Sequence, residues 1–362
     1  MSIPKDKPSY SSLGRKAPNQ PYIYKIPEPR PEWLALYSEN AIEPQLPIID
    51  AHHHLWGEQE GYLLDDFVAD ITSGHRVVAT IFVQCQWSYR TKGPKSLMPI
   101  GETERVRYIA EEAVRRKIPV DICAGIIGFA DMGLGDLVEP VLQAHVEAGG
   151  GRFRGVRHST TNDPGIVSHF FGPTVPDLLM RESFQRGLSK VQAAGLTFDA
   201  WIYFKQIPQL TIIARAFPDL KIVLNHLGAP LGVGPYQGRR KEVFQTWRAT
   251  LKELSSCPNV YIKIGGLGMV LTGFDFHHQP MPPNSQNLAE HWTPYVHTAI
   301  ELFGASRCMF ESNFPVDKVM CDYTVLWNAF KHITAGASSQ ERHDLFGKTA
   351  ATFYRLNLPN LN

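Results

Sequence analysis

Residues 48–56 read Ile48-Ile49-Asp50-Ala51-His52-His53-His54-Leu55-Trp56, a short β-branched run that breaks into polar side chains. The strand-like part, IIDAH (48–52), is the first of eight such runs. The others are VVATIFVQ (77–84), VDICAGIIG (120–128), FRGVRHS (153–159), LTFDAWIY (196–203), KIVLNHLG (221–228), NVYIKIGG (259–266) and CMFESNF (308–314). Amphipathic stretches lie between them, among them 102–117, 136–149, 182–195, 241–256 and 288–304, and two more follow the last run. Eight strands alternating with helices predict an α/β protein, a (β/α)₈ TIM barrel, with a doubly wound open sheet as the alternative. No GxGxxG or GxxxxGK[ST] loop follows the first run, which speaks against a nucleotide-binding fold.

Upstream of Ile48 the pattern is different. Nine of the 27 prolines fall in the first 47 residues, with no sustained periodicity. The expected organisation is therefore an extended N-terminal arm, 1–47, followed by a barrel, 48–362. Tyr22, Tyr24, Trp33, Leu34, Leu36 and Tyr37 give the arm enough apolar weight to clamp the body or to make a subunit contact, so a homodimer through the arm is one expectation. Hydrophobic residues are 43% and charged residues 20%, a composition that can bury a large core. Lys plus Arg is 36 against 35 for Asp plus Glu, so no basic field exists to recruit nucleic acid or an anionic membrane, and the expected partner is a small molecule. The five cysteines are scattered without a Cys-x-x-Cys pair, no apolar run reaches membrane-spanning length, and MSIPKDKPSY lacks the apolar segment of a signal peptide. A soluble cytoplasmic protein is expected.

Barrel chemistry sits at the C-terminal ends of strands, which makes those positions the candidates for function. Alternation points His52 and His54 the same way, into the mouth, with Asp50 one layer deeper. Two neutral imidazoles on one face make a divalent-metal pair, and His226 in Leu224-Asn225-His226-Leu227-Gly228 supplies a third nitrogen. In the eighth run Asn313 falls at the rim with Glu311 beneath it. Lys263 in the seventh run is placed to face Glu311, as a buried pair or as a substrate contact. Gln84, Arg157, His158 and Tyr203 stand at other strand ends as candidate substrate contacts. The long segments 160–177 and 267–286 have the length of pocket-shaping loops, and their aromatics suggest an apolar or ring-containing substrate. His277 and His278 in the second segment are offered as ligands or, more simply, as solvated loop residues.

Together, IIDAHHHLW, FRGVRH, VLNHLGAP, VYIKIGGL and FESNFPVD resemble, in order, the motifs of the amidohydrolase-related (amidohydrolase 2) branch of the amidohydrolase superfamily. The likeness is to its lactone hydrolases of the 2-pyrone-4,6-dicarboxylate and L-fuconolactone type. It covers Ile48 to the C-terminus and leaves the arm without a counterpart. The resemblance implies hydrolysis of a lactone or related cyclic ester of a small carboxylated or aromatic-derived molecule, with one divalent metal, zinc or manganese, or without metal. His52, His54 and His226 match the family's histidines, and Arg157 matches an arginine that holds a substrate carboxylate or carbonyl.

Asn313 stands where the family carries its catalytic aspartate, and an amide cannot accept a proton as a carboxylate does. The reading adopted is that the carboxylate has moved two residues back, to Glu311, which joins His52, His54 and His226 as a metal ligand. His226 as the base, or altered chemistry, are the other options. An aromatic-acid decarboxylase would carry a fifth-strand histidine, where this chain has Asp199, Trp201 and Tyr203. A non-catalytic binding barrel is the third reading.

Overall fold

The computed structural model describes residues 21–57, 61–168 and 175–358. Eight parallel strands form one sheet: β1 (Ile48–His53), β2 (Val77–Val83), β3 (Asp121–Gly128), β4 (Phe153–Ser159), β5 (Thr197–Trp201), β6 (Ile222–Leu224), β7 (Val260–Ile264) and β8 (Cys308–Phe310). They are ordered in space as in sequence. The sheet closes where Asn313 N donates to His52 O (2.8 Å), His54 N donates to Phe314 O (2.8 Å) and His53 bridges Phe314. Helices between the strands bury their apolar stripes against the outside of the sheet, with Trp247, Trp292 and Trp327 fully enclosed. This is the (β/α)₈ barrel that the eight runs predict. No helix among the described residues is long and apolar enough to cross a membrane.

The inner core explains why the site lies at one end only. Ile49, Ala79, Ile81, Val223 and Met309 fill the barrel together with Phe353 and Tyr354, which follow from the C-terminal helix and plug the N-terminal end. Above that plug comes a charged layer: Lys263 Nζ meets Asp199 Oδ2 at 2.8 Å, and Tyr354 Oη donates to the same carboxylate at 3.0 Å. Inward side chains of alternate strands share a layer in such barrels. Lys263 on β7 therefore pairs with Asp199 on β5 rather than with Glu311 after the adjacent β8, which corrects the expected Lys263–Glu311 pair.

Asp50 also departs from its expected place beneath the histidines. A register irregularity in β1 between Asp50 and His53 breaks the alternation. Asp50 consequently faces outward, accepting from Ser312 N (2.8 Å), Ser312 Oγ (2.6 Å) and Tyr323 Oη (3.1 Å), while His52 still points in. Asp50 ties β8 and the helix Tyr323–Ile333 to β1 and does not underlie the histidines.

The described part of the arm packs on its own chain. Tyr22–Tyr24 pairs in parallel with Ile166–Ser168 in the loop after β4, and Trp33 and Leu34 are buried. The remainder of the expected arm, 1–20, and the stretch 169–174 of the predicted pocket loop lie outside the described residues.

Candidate active site

Several strand tails leave β geometry at the mouth, and the polar residues collect there. β6 ends at Leu224, after which His226 and Leu227 take left-handed backbone angles (φ 52° and 56°). β8 ends at Phe310, and Asn313 is also left-handed (φ 54°), a conformation that asparagine tolerates better than most residues. These kinks turn His226 and Glu311 toward one another. His226 Nδ1 lies 2.6 Å from Glu311 Oε1, and His52 Nδ1 lies 3.0 Å from Glu311 Oε2.

Two glycines make room for that contact. A Cβ at Gly265 would stand 2.3 Å from Glu311 Cγ, and one at Gly266 (φ 64°) would stand 2.6 Å from His226 Cβ.

The histidines are oriented by what surrounds them. His54 Nδ1 donates to Val83 O at 2.7 Å, so its Nε2 carries a lone pair, and that atom faces His52 Nε2 at 3.2 Å. Arg157 Nη1 lies 3.3 Å from His52 Nε2, Arg157 Nη2 donates to Gln84 O, and Lys263 Nζ lies 3.4 Å from His52 Nδ1. Burial holds His52, His54 and His226 well below the usual imidazole range, with the Arg157 charge pushing the same way on all three and that of Lys263 on His52 and His226. Burial also pushes the Glu311 carboxyl up to about 8.

One atom each from His52, His226 and Glu311 lie within 4.8 Å of one another, all buried. Two neutral imidazoles and a carboxylate are a donor set for a divalent cation. The cluster thus fits a metal, although Arg157 and Lys263 beside it already carry charge, that of Lys263 held by Asp199.

Asn313 lines the mouth, but its amide nitrogen is committed to Asp317 Oδ1 at 2.7 Å. Asp317, whose other oxygen accepts from Gly268 N at 2.8 Å, was not singled out from the sequence. Its place four residues after Asn313, one turn onward, is the signal that could have marked it. Trp201 and His226 meet in a T-shaped arrangement with ring centroids 4.7 Å apart. Tyr24, from the arm, also lines the mouth.

Other expected contacts fall elsewhere. His158 follows Arg157 on β4 and so faces the helix layer, against Phe129 and Phe184, with Nδ1 accepting from Met132 N at 3.2 Å. Among the described residues it does not line the mouth. Gln84 offers its carbonyl to Arg157, and its side chain is buried without a hydrogen bond. Tyr203 is buried behind Trp201. His277 and His278 lie on a short turn with ring centroids 3.9 Å apart and planes tilted by 37° and, with Asp275, form a second group of ligand-type atoms within 4.8 Å.

The sequence profile of one family, described as amidohydrolase, matches residues 49–356, nearly the whole barrel. The chain belongs to the amidohydrolase family. Among its relatives, this amidohydrolase is 32% identical over 334 residues to the uncharacterised protein y4mH of Sinorhizobium fredii, a match covering 86% of this chain and 99% of that protein. It is 25% identical to the L-fucono-1,5-lactonase of Burkholderia ambifaria, over 86% of this chain and 97% of that enzyme. A zinc-bound amidohydrolase crystal structure from Burkholderia multivorans shares the fold, with TM-score 0.63, 22% identity and coverage of 86% and 99%.

For this amidohydrolase, Gly266→Ala is expected to displace His226 and cut hydrolytic turnover about a hundredfold, the order of loss that a 1 Å misplacement brings. Steady-state kinetics, with circular dichroism to confirm the fold, check this. Turnover within twofold of wild type would show that His226 needs no such close approach.

Proposed function

We propose that this amidohydrolase opens a small lactone or related cyclic ester of a carboxylated or aromatic-derived molecule. We also propose that His52, His226 and Glu311, with His54 beside them, hold one divalent cation, zinc or manganese. The observation that carries the reading is the Glu311 carboxylate set between His226 and His52 at the barrel mouth, in a chain whose rim residue is an amide. The lactonase names of two relatives, an L-fucono-1,5-lactonase and an L-rhamnono-gamma-lactonase, support the same reaction class.

A cation bound there supplies Lewis-acid polarisation of the ester carbonyl and a more acidic water. The chain's own groups do the rest. Arg157 presents its guanidinium to a carboxylate or carbonyl of the substrate, for which its planar fork is suited. Trp201 and Met269 give the mouth an apolar wall against which a ring can lie. Glu311 is the base. It takes the proton of the attacking water on Oε2 as the new C–O bond forms, and returns it to the ring oxygen as the ester C–O bond breaks. His226 orients that carboxylate through Oε1.

A decarboxylase is disfavoured because Asp199, where a histidine would stand, is locked to Lys263 and Tyr354 below the mouth. Lactone opening releases one acid equivalent, decarboxylation releases CO₂, and a binding barrel does neither. Titration at constant pH with a set of aromatic and sugar lactones is expected to record enzyme-dependent acid release from at least one of them. CO₂ from aryl carboxylates without acid release from any lactone would overturn the proposal.

A further inference from the structure

The arm lies outside the stretch that the family profile matches. The family profile begins at Ile49, and the match to y4mH uses 99% of that protein while covering 86% of this chain. The arm's strand Tyr22–Tyr24 adds to Ile166–Ser168, with Tyr22 N donating to Gly165 O at 2.8 Å. Pro27, Pro29 and Pro31 then stiffen the run across the mouth. On the far side Trp33 Nε1 donates to Gln279 O (3.0 Å) and Arg30 Nη2 to His277 O (2.5 Å), both in the loop after β7. The arm is thus a strap fastened to loops on two sides of the barrel, and its middle carries Tyr24 and Ile26 onto the mouth, opposite His54, Arg157 and His226.

The space left beneath the strap is small. The cavity amounts to about 30 Å³, room for a water molecule and far less than a cyclic ester occupies. A substrate that reaches Arg157 and His226 needs more room than this, and Tyr24 and Ile26 are the lining side chains that the arm contributes. The strand that holds Tyr24 is three residues long, the kind of element that opens at low cost.

We propose that the arm supplies the outer wall of the substrate pocket and that Tyr24 is its specificity-determining residue, limiting the width of the ring system that the mouth admits. This rests on the mouth being the binding site for a small anionic cyclic ester, but its test does not require turnover. Benzoate and 2-naphthoate are used as inert probes of one and two rings, each with a carboxylate for Arg157. Calorimetric titration of the full chain compares wild type, Tyr24→Ala and Tyr24→Phe.

Wild type is expected to prefer benzoate. Tyr24→Ala is expected to shift the ratio of affinities toward 2-naphthoate by tenfold or more, and Tyr24→Phe, which keeps the ring, to retain the wild-type ratio. An unchanged ratio in Tyr24→Ala, or binding of neither probe to any form, would overturn the proposal. Failure of every lactone to be hydrolysed would count against the reaction assigned above and leave the probe ratios standing as a separate result.

Discussion

Replacing Glu311 by Gln is expected to lower hydrolytic turnover by about a thousandfold or more, at the upper part of what a general base contributes. The substitution preserves size and one acceptor oxygen while removing the charge, so the barrel should fold normally. It alters three things together. The proton acceptor is gone, the anion that His226 and His52 face becomes neutral, and the only carboxylate among the buried group of ligand-type atoms is lost. Asn313 cannot compensate, because its nitrogen is held by Asp317 and an amide oxygen does not take up a proton near neutral pH. Asp317→Asn provides the contrast. It leaves Glu311 in place and should cost far less, so equal losses in the two variants would shift the role of base toward Asp317. Measuring kcat and KM for both, with matched melting curves, separates the cases.

The second large effect is on stability. Lys263 and Asp199 are fully buried and paired at 2.8 Å, with Tyr354 and Asn225 completing the hydrogen bonds of the carboxylate. Lys263→Met leaves that carboxylate without its cation and is expected to cost about 3–5 kcal/mol, the usual penalty for one partner of a buried pair. Removing both charges in Lys263→Met with Asp199→Leu should recover a large part of the loss, since the desolvation of each ion is then no longer incurred. Denaturant unfolding of the three proteins checks this. A double variant as unstable as the single would mean that shape, not charge, governs the layer. The pair stands directly below the histidines, so the ion pair also fixes the floor on which His52 rests.

How far the sequence could be read depended on where regular geometry stopped. The eight β-branched runs locate every barrel strand within a few residues, because a strand enclosed on both faces must be apolar and its boundaries are marked by turns. The same runs overshoot at their ends: KIVLNHLG is strand only to Leu224, and CMFESNF only to Phe310. The chemistry lies in those overshoots, where left-handed residues at His226 and Asn313 cancel period-two reasoning. Glu311 and His226 were legible as residue types at the right strand ends, yet their mutual contact depends on Gly265 and Gly266 giving way.

Asp50 was misread because a register irregularity reversed its face, and Lys263 because barrel layers are built from alternate strands. His158 was misread although simple alternation from Arg157 already turned it outward. Tyr24 could not have been placed from pattern alone. Nothing in an aperiodic, proline-rich arm indicates which loop it will pair with, only that its aromatic residues need somewhere to go.

The central claim, that Glu311 has taken over the carboxylate role at a histidine-bound metal, is tested most directly by elemental analysis. Wild type and Glu311→Gln are purified side by side without chelator or affinity-tag metal. The account predicts close to one zinc or manganese per wild-type chain and a large loss in the variant. Equal metal content in both proteins, or none in either, would contradict it.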